Sequence, residues 1–368
     1  MMHGTGRSRK RRGGFVLVIV IFFIVLLFAS VATFLRRATL DAAIVRNRDY
    51  GARAEALARG GVNIAKVLLI QDLIEEQAQR SPPVDSKRDL WAQIASFPLP
   101  PTEDGGTLRI EVEDAGARIG LNGLVALEAP DADSAADAPA ADDAAAAGGA
   151  PAPVDEAAMQ RFLLALFTKV IEEMPGKPEE KQYDPEELTR NLIDYLDEDD
   201  VGQRGDRENE WYEQQSPPYH PPPDHVLWSV DELALVKGFD RALVEALRPY
   251  VTAFPLSGGG VNPNTAPSWV LAALDTGGPA GSVRTEDEEF VKRILKCRSE
   301  LPLCESGTEC QQIGECTAGV TPTPAFRFKS DVFRIQATAR YGDVTRVIET
   351  VVNRRKPAEM VHLTWSVR

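Results

Sequence analysis

The sequence predicts an α+β chain: a long N-terminal membrane and stem helix carrying an antiparallel sheet that is interrupted by a large inserted helical domain. Three observations predict it. Residues 15–35 (FVLVIVIFFIVLLFASVATFL) form 21 consecutive uncharged residues, the length a helix needs to cross a hydrocarbon layer of ~30 Å. From Leu40 onward apolar residues recur at Ala43, Ile44, Ala54, Leu57, Ala58, Val62, Ala65, Leu68 and Leu69, with no proline before Pro82, which is helical spacing. Finally, strand-like alternation occurs on both sides of a helix-patterned block, at 107–113 and again at 333–367, so one sheet is split by an insertion.

Taken in order, residues 1–14 are a basic leader with Arg7, Arg9, Lys10, Arg11 and Arg12. Positive charge stays on the cytoplasmic side of a membrane. The leader and the 15–35 helix therefore predict a single membrane pass, with the N-terminus cytoplasmic and the rest of the chain facing outward. Residues 1–35 fit an ordinary signal peptide cut after Ser30-Val31-Ala32, a plain anchor, or a leader cut at Gly14–Phe15. The last two keep the membrane helix. Continued helical spacing over 36–80, an amphipathic stem, favours keeping it. One helix of about 65 residues would reach ~95 Å, at ~1.5 Å per residue.

The first part of the sheet domain spans 81–125, with a short helix at Lys87–Ala95 and a strand at Thr107–Glu113. Residues 126–154 are almost wholly Ala, Asp, Pro and Gly, too poor in large apolar groups to offset chain entropy, and predict a disordered surface loop. Helices fill 155–300: Glu156–Glu173 ended by Pro175-Gly176, and a helix opened by Asp184-Pro185 that runs through Leu196. Two Ser/Thr-x-x-Glu pairs, Ser229 with Glu232 and Thr285 with Glu288, mark further starts. A Cys-rich segment spans 301–321. The second part of the sheet, 322–368, alternates through Phe333, Ile335, Ala337, Ala339 and Tyr341, turns at Gly342-Asp343, returns over Val344–Asn353 and ends in Val361–Val367.

Asp197-Glu-Asp199-Asp-Val201-Gly202, followed by Glu208, fits the calcium-loop pattern D-x-[DN]-x-[DN]-G-x5-E at every fixed position but Val201. Asp200, Asp206 or Glu210 are available to replace the missing ligand. A solvated acidic loop explains the same residues. Leu227–Asp240 and Val261–Ala266 pattern as short helices around a glycine turn, a unit that grips DNA in other proteins. Here the turn carries only Lys237 and Arg241 in a chain of net charge −14, which repels phosphate, so a packing role without nucleic acid is expected. Cys297, Cys304, Cys310 and Cys316 lack the short spacings of zinc sites and predict two disulfides in an oxidising compartment, with all three pairings open. The four histidines form no HExxH, and no Gly-x-Ser-x-Gly, phosphate loop or CxxC occurs, so the chain is not expected to be an enzyme.

The basic leader, Gly14–Phe15 junction and membrane helix continued as a stem resemble type IV pilins and pseudopilins. The order of the later motifs resembles K-type minor pseudopilins of type II secretion. They are Asp114–Leu124 with Asn122, Leu192–Asp197 with Glu208–Tyr212, the two SAM-like helical stretches, and Asn262-Pro-Asn264-Thr265-Ala266. The resemblance covers nearly all of the chain except the Ala/Asp loop and the Cys-rich segment. It implies a prepilin peptidase that cuts after Gly14 and methylates Phe15, and bound calcium on Asp197, Asp199 and Glu208, with Glu210 beside them. Implied partners are I-type and J-type minor pseudopilins at a pseudopilus tip, the inner-membrane secretion platform and secreted substrate proteins passing an outer-membrane secretin. The family's usual glutamate five residues after the cut is Ile19 here. That position tolerates isoleucine at a tip, where no subunit above needs its terminal amine neutralised. A minor pilin of a type IV pilus, or a secreted calcium-binding protein cut after Ala32, are the alternatives.

Overall fold

The computed structural model describes residues 13–78, 84–124, 156–176, 182–196, 209–219, 226–255, 260–277, 285–286, 288–307, 309–355 and 360–368. Helix α1 runs unbroken over Gly13–Gln77. Its upper half lies on a four-stranded antiparallel sheet of order β1-β6-β7-β8, formed by β1 (Thr107–Asp114), β6 (Val332–Tyr341), β7 (Val344–Asn353) and β8 (Val361–Val367). Between β1 and β6 in sequence stands the helical domain, so the sheet joins chain segments from either side of it.

The helix and sheet meet through small side chains. Ala54, Ala58, Val62, Ala65 and Leu69 are buried against Ile335, Ala337 and Ala339, and Gly61 brings the backbone in closest. A Cβ there would lie 2.9 Å from Leu108 Cδ1 and 3.1 Å from Ala337 Cβ. Trp91 closes the end of this core with its ring edge on Phe333, centroids 5.0 Å apart. Trp91 sits on α2, Leu90–Gln93, which continues as a 3-10 turn over Ile94–Ser96. This helix is shorter than the expected 87–95. The Asp89 carboxylate accepts bonds from the Ser86 amide (2.7 Å) and hydroxyl (3.1 Å), which holds Lys87 and Arg88 in a turn instead of a helix.

At the β6–β7 hairpin Gly342 has φ +54°, the positive value that the first turn residue of a type II′ hairpin requires. It also abuts the stem, since a Cβ there would stand 2.9 Å from Tyr50 Cε2. Gly342→Val is therefore expected to cost about 1–3 kcal/mol in urea unfolding. Gly60→Ala, on α1 with nothing within 4 Å, should instead gain up to about 1 kcal/mol.

The helical domain comprises α3 (Glu156–Glu173), α4 (Pro185–Leu196), α5 (Asn209–Glu213), α6 (Arg241–Leu247), α7 (Ser268–Ala273) and α8 (Glu289–Glu300). The apolar face expected of α3 is its core face, with Phe162, Leu163, Leu166, Phe167 and Val170 buried. Asp184 caps α4 by accepting from the amides of Glu186 (2.9 Å) and Glu187 (3.3 Å). The two capping boxes depart from expectation. Ser229 opens a 3-10 helix, Val230–Leu235, and Glu232 reaches back to Trp228 N (3.2 Å) instead of the Ser229 amide. Glu288 bonds the Thr285 amide (3.4 Å) inside a turn, and α8 begins only after it.

Two short parallel pairs stitch the layers together: β2 (Ile119–Gly120) with β3 (Val251–Thr252), and β4 (Leu303–Cys304) with β5 (Gln311–Gln312). The second pair leads into α9 (Ile313–Thr317). Ile119, Leu121 and Leu124 lie in the helical domain's core, so the chain crosses into that layer directly after β1. The stretch 126–154 expected to be disordered lies outside the described residues.

Candidate functional site

Among the described residues, the lower half of α1 packs against nothing. Phe15–Leu35 are exposed throughout, Phe15 at 75%, and an 18-residue window of the helix has a mean hydropathy of 3.3. The Gly14–Phe15 bond lies in the first turn of the helix, and Ile19 faces outward at 38% exposure. Such a surface is stable only in lipid or against other apolar helices.

Higher up, α1 has a second apolar face. At ~100° per residue, Gly60, Ile64, Val67 and Ile74 fall opposite the Ala54–Leu69 stripe that the sheet covers. Ile64, Val67 and Ile74 are 42%, 62% and 52% exposed. A stem helix that only carried a sheet would be polar here.

Above the stem a buried polar junction ties three layers together. Arg354, 1% exposed, follows β7 and points inward. Its Nη1 donates to Asp72 Oδ2 on α1 (2.7 Å), its Nη2 to Asp85 Oδ1, and its Nε to the Ser330 carbonyl (3.1 Å). Its guanidinium also stacks 4.4 Å over the Phe333 ring. Asp85, fully buried, takes its other bond from the Ser330 amide (2.6 Å). Asn262 Nδ2 then donates to the Asp85 carbonyl (3.0 Å) and to Asp114 Oδ2 (2.9 Å). Thr265 Oγ1 donates to the same Asp114 oxygen (2.6 Å). Asn264 exchanges two bonds with the Leu303 backbone (2.9 and 2.7 Å). The Asn262–Ala266 motif is thus the joint by which the helical domain grips the sheet and the stem.

Asp72, Glu76 and Asp85 bring carboxylate oxygens within 4.8 Å of one another, but Arg354 takes Asp72 and Asp85, and Lys329 pairs with Glu76. Burial pushes the Asp85 carboxyl well above its ordinary range and raises Asp114 too. Asp89 is raised to about 6, first by burial and further by the charges of Asp72 and Glu76. A carboxyl raised on folding holds its proton more tightly in the native state, so its stabilising contribution is lost as pH rises from about 4 to about 6. Urea midpoints of Asp89→Asn should accordingly decline less over that window than those of the wild type.

Of the residues proposed for calcium, Asp197, Asp199 and Glu208 lie outside the described residues, while Glu210 is exposed in the first turn of α5. What flanks them is ordered by aromatic packing. Tyr195 at the end of α4 meets Tyr212 of α5, centroids 5.9 Å apart, and its hydroxyl lies 2.9 Å from that of Tyr219. All four cysteines pair, Cys297 with Cys316 and Cys304 with Cys310. The glycine turn at Gly238 (φ +87°) packs on α4: Asn191 Nδ2 donates to the Lys237 carbonyl (2.9 Å), and Asp240 accepts from both Leu243 N (2.8 Å) and Tyr183 Oη (2.9 Å).

The family model described as type II secretion system (T2SS), protein K, matches residues 117–256, the segment from β2 through β3 that holds the glycine turn at Gly238 and the aromatic cluster. Type II secretion system protein K of Pseudomonas aeruginosa PAO1 is 25% identical over 327 residues, 85% of this chain and 80% of that one. The chain belongs to the type II secretion K family. It is a minor pseudopilin. Protein K of Klebsiella pneumoniae is 34% identical over 111 residues, 30% of this chain and 32% of that relative. The fold is shared with a chain of the GspK-GspI-GspJ complex from the enterotoxigenic Escherichia coli type 2 secretion system, at TM-score 0.55 and 17% identity, covering 88% of this chain and 99% of that one. K-family membership fits an inner-membrane anchor for the apolar half of α1.

Proposed function

We propose that this K-type chain caps the pseudopilus tip, where it joins I-type and J-type minor pseudopilins and starts assembly for export through the outer-membrane secretin. The observation that carries this is the second apolar face of α1, on the same unbroken helix as a membrane half that is itself uncovered. A partner filling both must rise from the same membrane alongside α1, as another pseudopilin helix does. Ile19 and a helical domain too bulky to stack along a shaft favour the top position, and the GspK-GspI-GspJ complex supports the choice of partners. In this account prepilin peptidase cuts after Gly14, the platform drives growth, and the chain orients with its leader cytoplasmic and its globular part periplasmic. Its output is binding, with no bond chemistry.

Co-expression of the full-length chain with its I-type and J-type partners tests the assignment. Wild type should co-purify with both. Val67→Lys combined with Ile74→Lys should abolish recovery of the complex while leaving the thermal melt of the isolated chain unchanged. Undiminished recovery would refute the role of this face.

We also propose that residues 197–212 hold calcium, with Asp197, Asp199 and Glu208 as ligands and Glu210 beside them. The Tyr195–Tyr212 contact, between residues on either side of 197–208, fits a chelating segment there. Calorimetric titration with calcium should give binding heat that Asp197→Ala/Glu208→Ala removes, and equal heats from both proteins would refute the site.

A further inference from the structure

Strand β8 is an edge of the sheet, and its main-chain groups are open. Arg368 exchanges both backbone bonds with Val347 (2.9 Å each). Antiparallel alternation therefore turns the amides and carbonyls of Trp365 and Val367 outward. Exposed edges of this kind pair with other chains unless they are blunted, and β8 carries no proline or charge at 361–367. Val361, Trp365 and Val367 are instead exposed apolar residues.

The flank of α1 beside this edge carries Arg59, which pairs with Glu55 at 2.7 Å, and Lys66, in a chain that is acidic as a whole. Arg59 lies 5.8 Å over the Trp365 ring, and His362 packs edge-on against the same ring at 5.2 Å. Lys66 Nζ stands 3.3 Å from His362 Nε2 and forms no ion pair among the described residues. A tryptophan and an arginine next to such a lysine have the composition of a binding hot spot. Lipid headgroups are out of reach, because Lys66 stands about 45 Å along the helix from Leu35 at ~1.5 Å per residue.

We propose that β8 with Arg59 and Lys66 of α1 is a docking edge for an acidic, extended segment of a neighbouring minor pseudopilin. That segment adds as a fifth strand on the outward groups of Trp365 and Val367 and sets a carboxylate against Lys66. This deepens the tip assignment above and rests on it.

Affinity of the full-length chain for its I-type and J-type partners in detergent provides the test. Val367→Pro removes only an outward amide, so the β7–β8 ladder survives, and binding should weaken about tenfold or more while Val367→Ala binds like wild type. Lys66→Glu should weaken it comparably, and raising salt from about 0.05 to 0.5 M should narrow the gap between Lys66→Glu and wild type. Should Val367→Pro fail to fold, the affinity of Lys66→Glu decides. Wild-type affinity in both variants would overturn the docking edge while the tip assignment stands. Failure of the wild-type chain to bind either partner would overturn both.

Discussion

Arg354→Ala is expected to lower the unfolding free energy by about 3–5 kcal/mol, the usual cost of removing one partner from a buried ion pair. The guanidinium meets Asp72 from the stem, Asp85 from the connecting segment and the Ser330 carbonyl ahead of β6. Truncation leaves Asp85, with 0% exposure, without a counter-charge in a low-dielectric site. That carboxyl then titrates higher still, so the folded variant binds a proton that the unfolded chain has already lost. The deficit should therefore be larger near pH 8 than near pH 5. Urea unfolding at the two pH values measures it, and a deficit under about 1 kcal/mol would mean that Arg354 behaves as a surface ion pair. Arg354→Lys should recover only part of the loss, because an ammonium cannot reach two carboxylates and a carbonyl with fixed fork geometry.

Removing the Cys297–Cys316 bridge, as Cys297→Ser/Cys316→Ser, is expected to cost about 3 kcal/mol. The bridge closes a loop of sequence separation 19 between α8 and α9, and Cys316 is 1% exposed. Leu303 lies within that loop, fully buried and bonded twice to Asn264. Loss of the bridge therefore loosens the Asn262–Ala266 joint as well as the loop. Hydrogen exchange should show Leu303 and Asn264 losing protection together, with the β6–β7 hairpin unaffected. Cys304–Cys310 spans a separation of only 6 and should matter less.

How much of this was legible in the sequence differs by element. Ala54, Ala58, Val62, Ala65 and Leu69 announce the buried face of the stem by spacing alone, as do Phe162, Leu166 and Val170 for α3, because each pattern repeats within one helix. The opposite face of α1 is harder to see. Gly60 reads as a helix flaw, and Ile64, Val67 and Ile74 sit in a mostly apolar run, VNIAKVLLIQDLI over 62–74, so only exposure separates a second stripe from the first.

The junction was illegible for a different reason. Arg354 opens an Arg-Arg-Lys-Pro run that looks like a solvated turn, and its acidic partners are 282 and 269 positions away. Asp85 follows two prolines and reads as linker. Nothing local distinguishes a buried ion pair from a surface one. Asn262 and Thr265 stood out only by family resemblance, and their task, donating to a buried Asp114, needs the fold. Ser229 and Thr285 show the converse: the capping chemistry is real, but it closes turns and a 3-10 segment where an α-helix was expected.

The central claim is that this chain is a membrane-retained pseudopilin, cut at the head of its apolar helix. Intact-mass and N-terminal analysis of the protein purified from bacterial membranes tests it most directly. The mature chain should begin at Phe15, methylated on its amine, with α1 retained from Phe15 upward. A mature chain that begins at Thr33 and is recovered in the soluble periplasmic fraction would contradict the account.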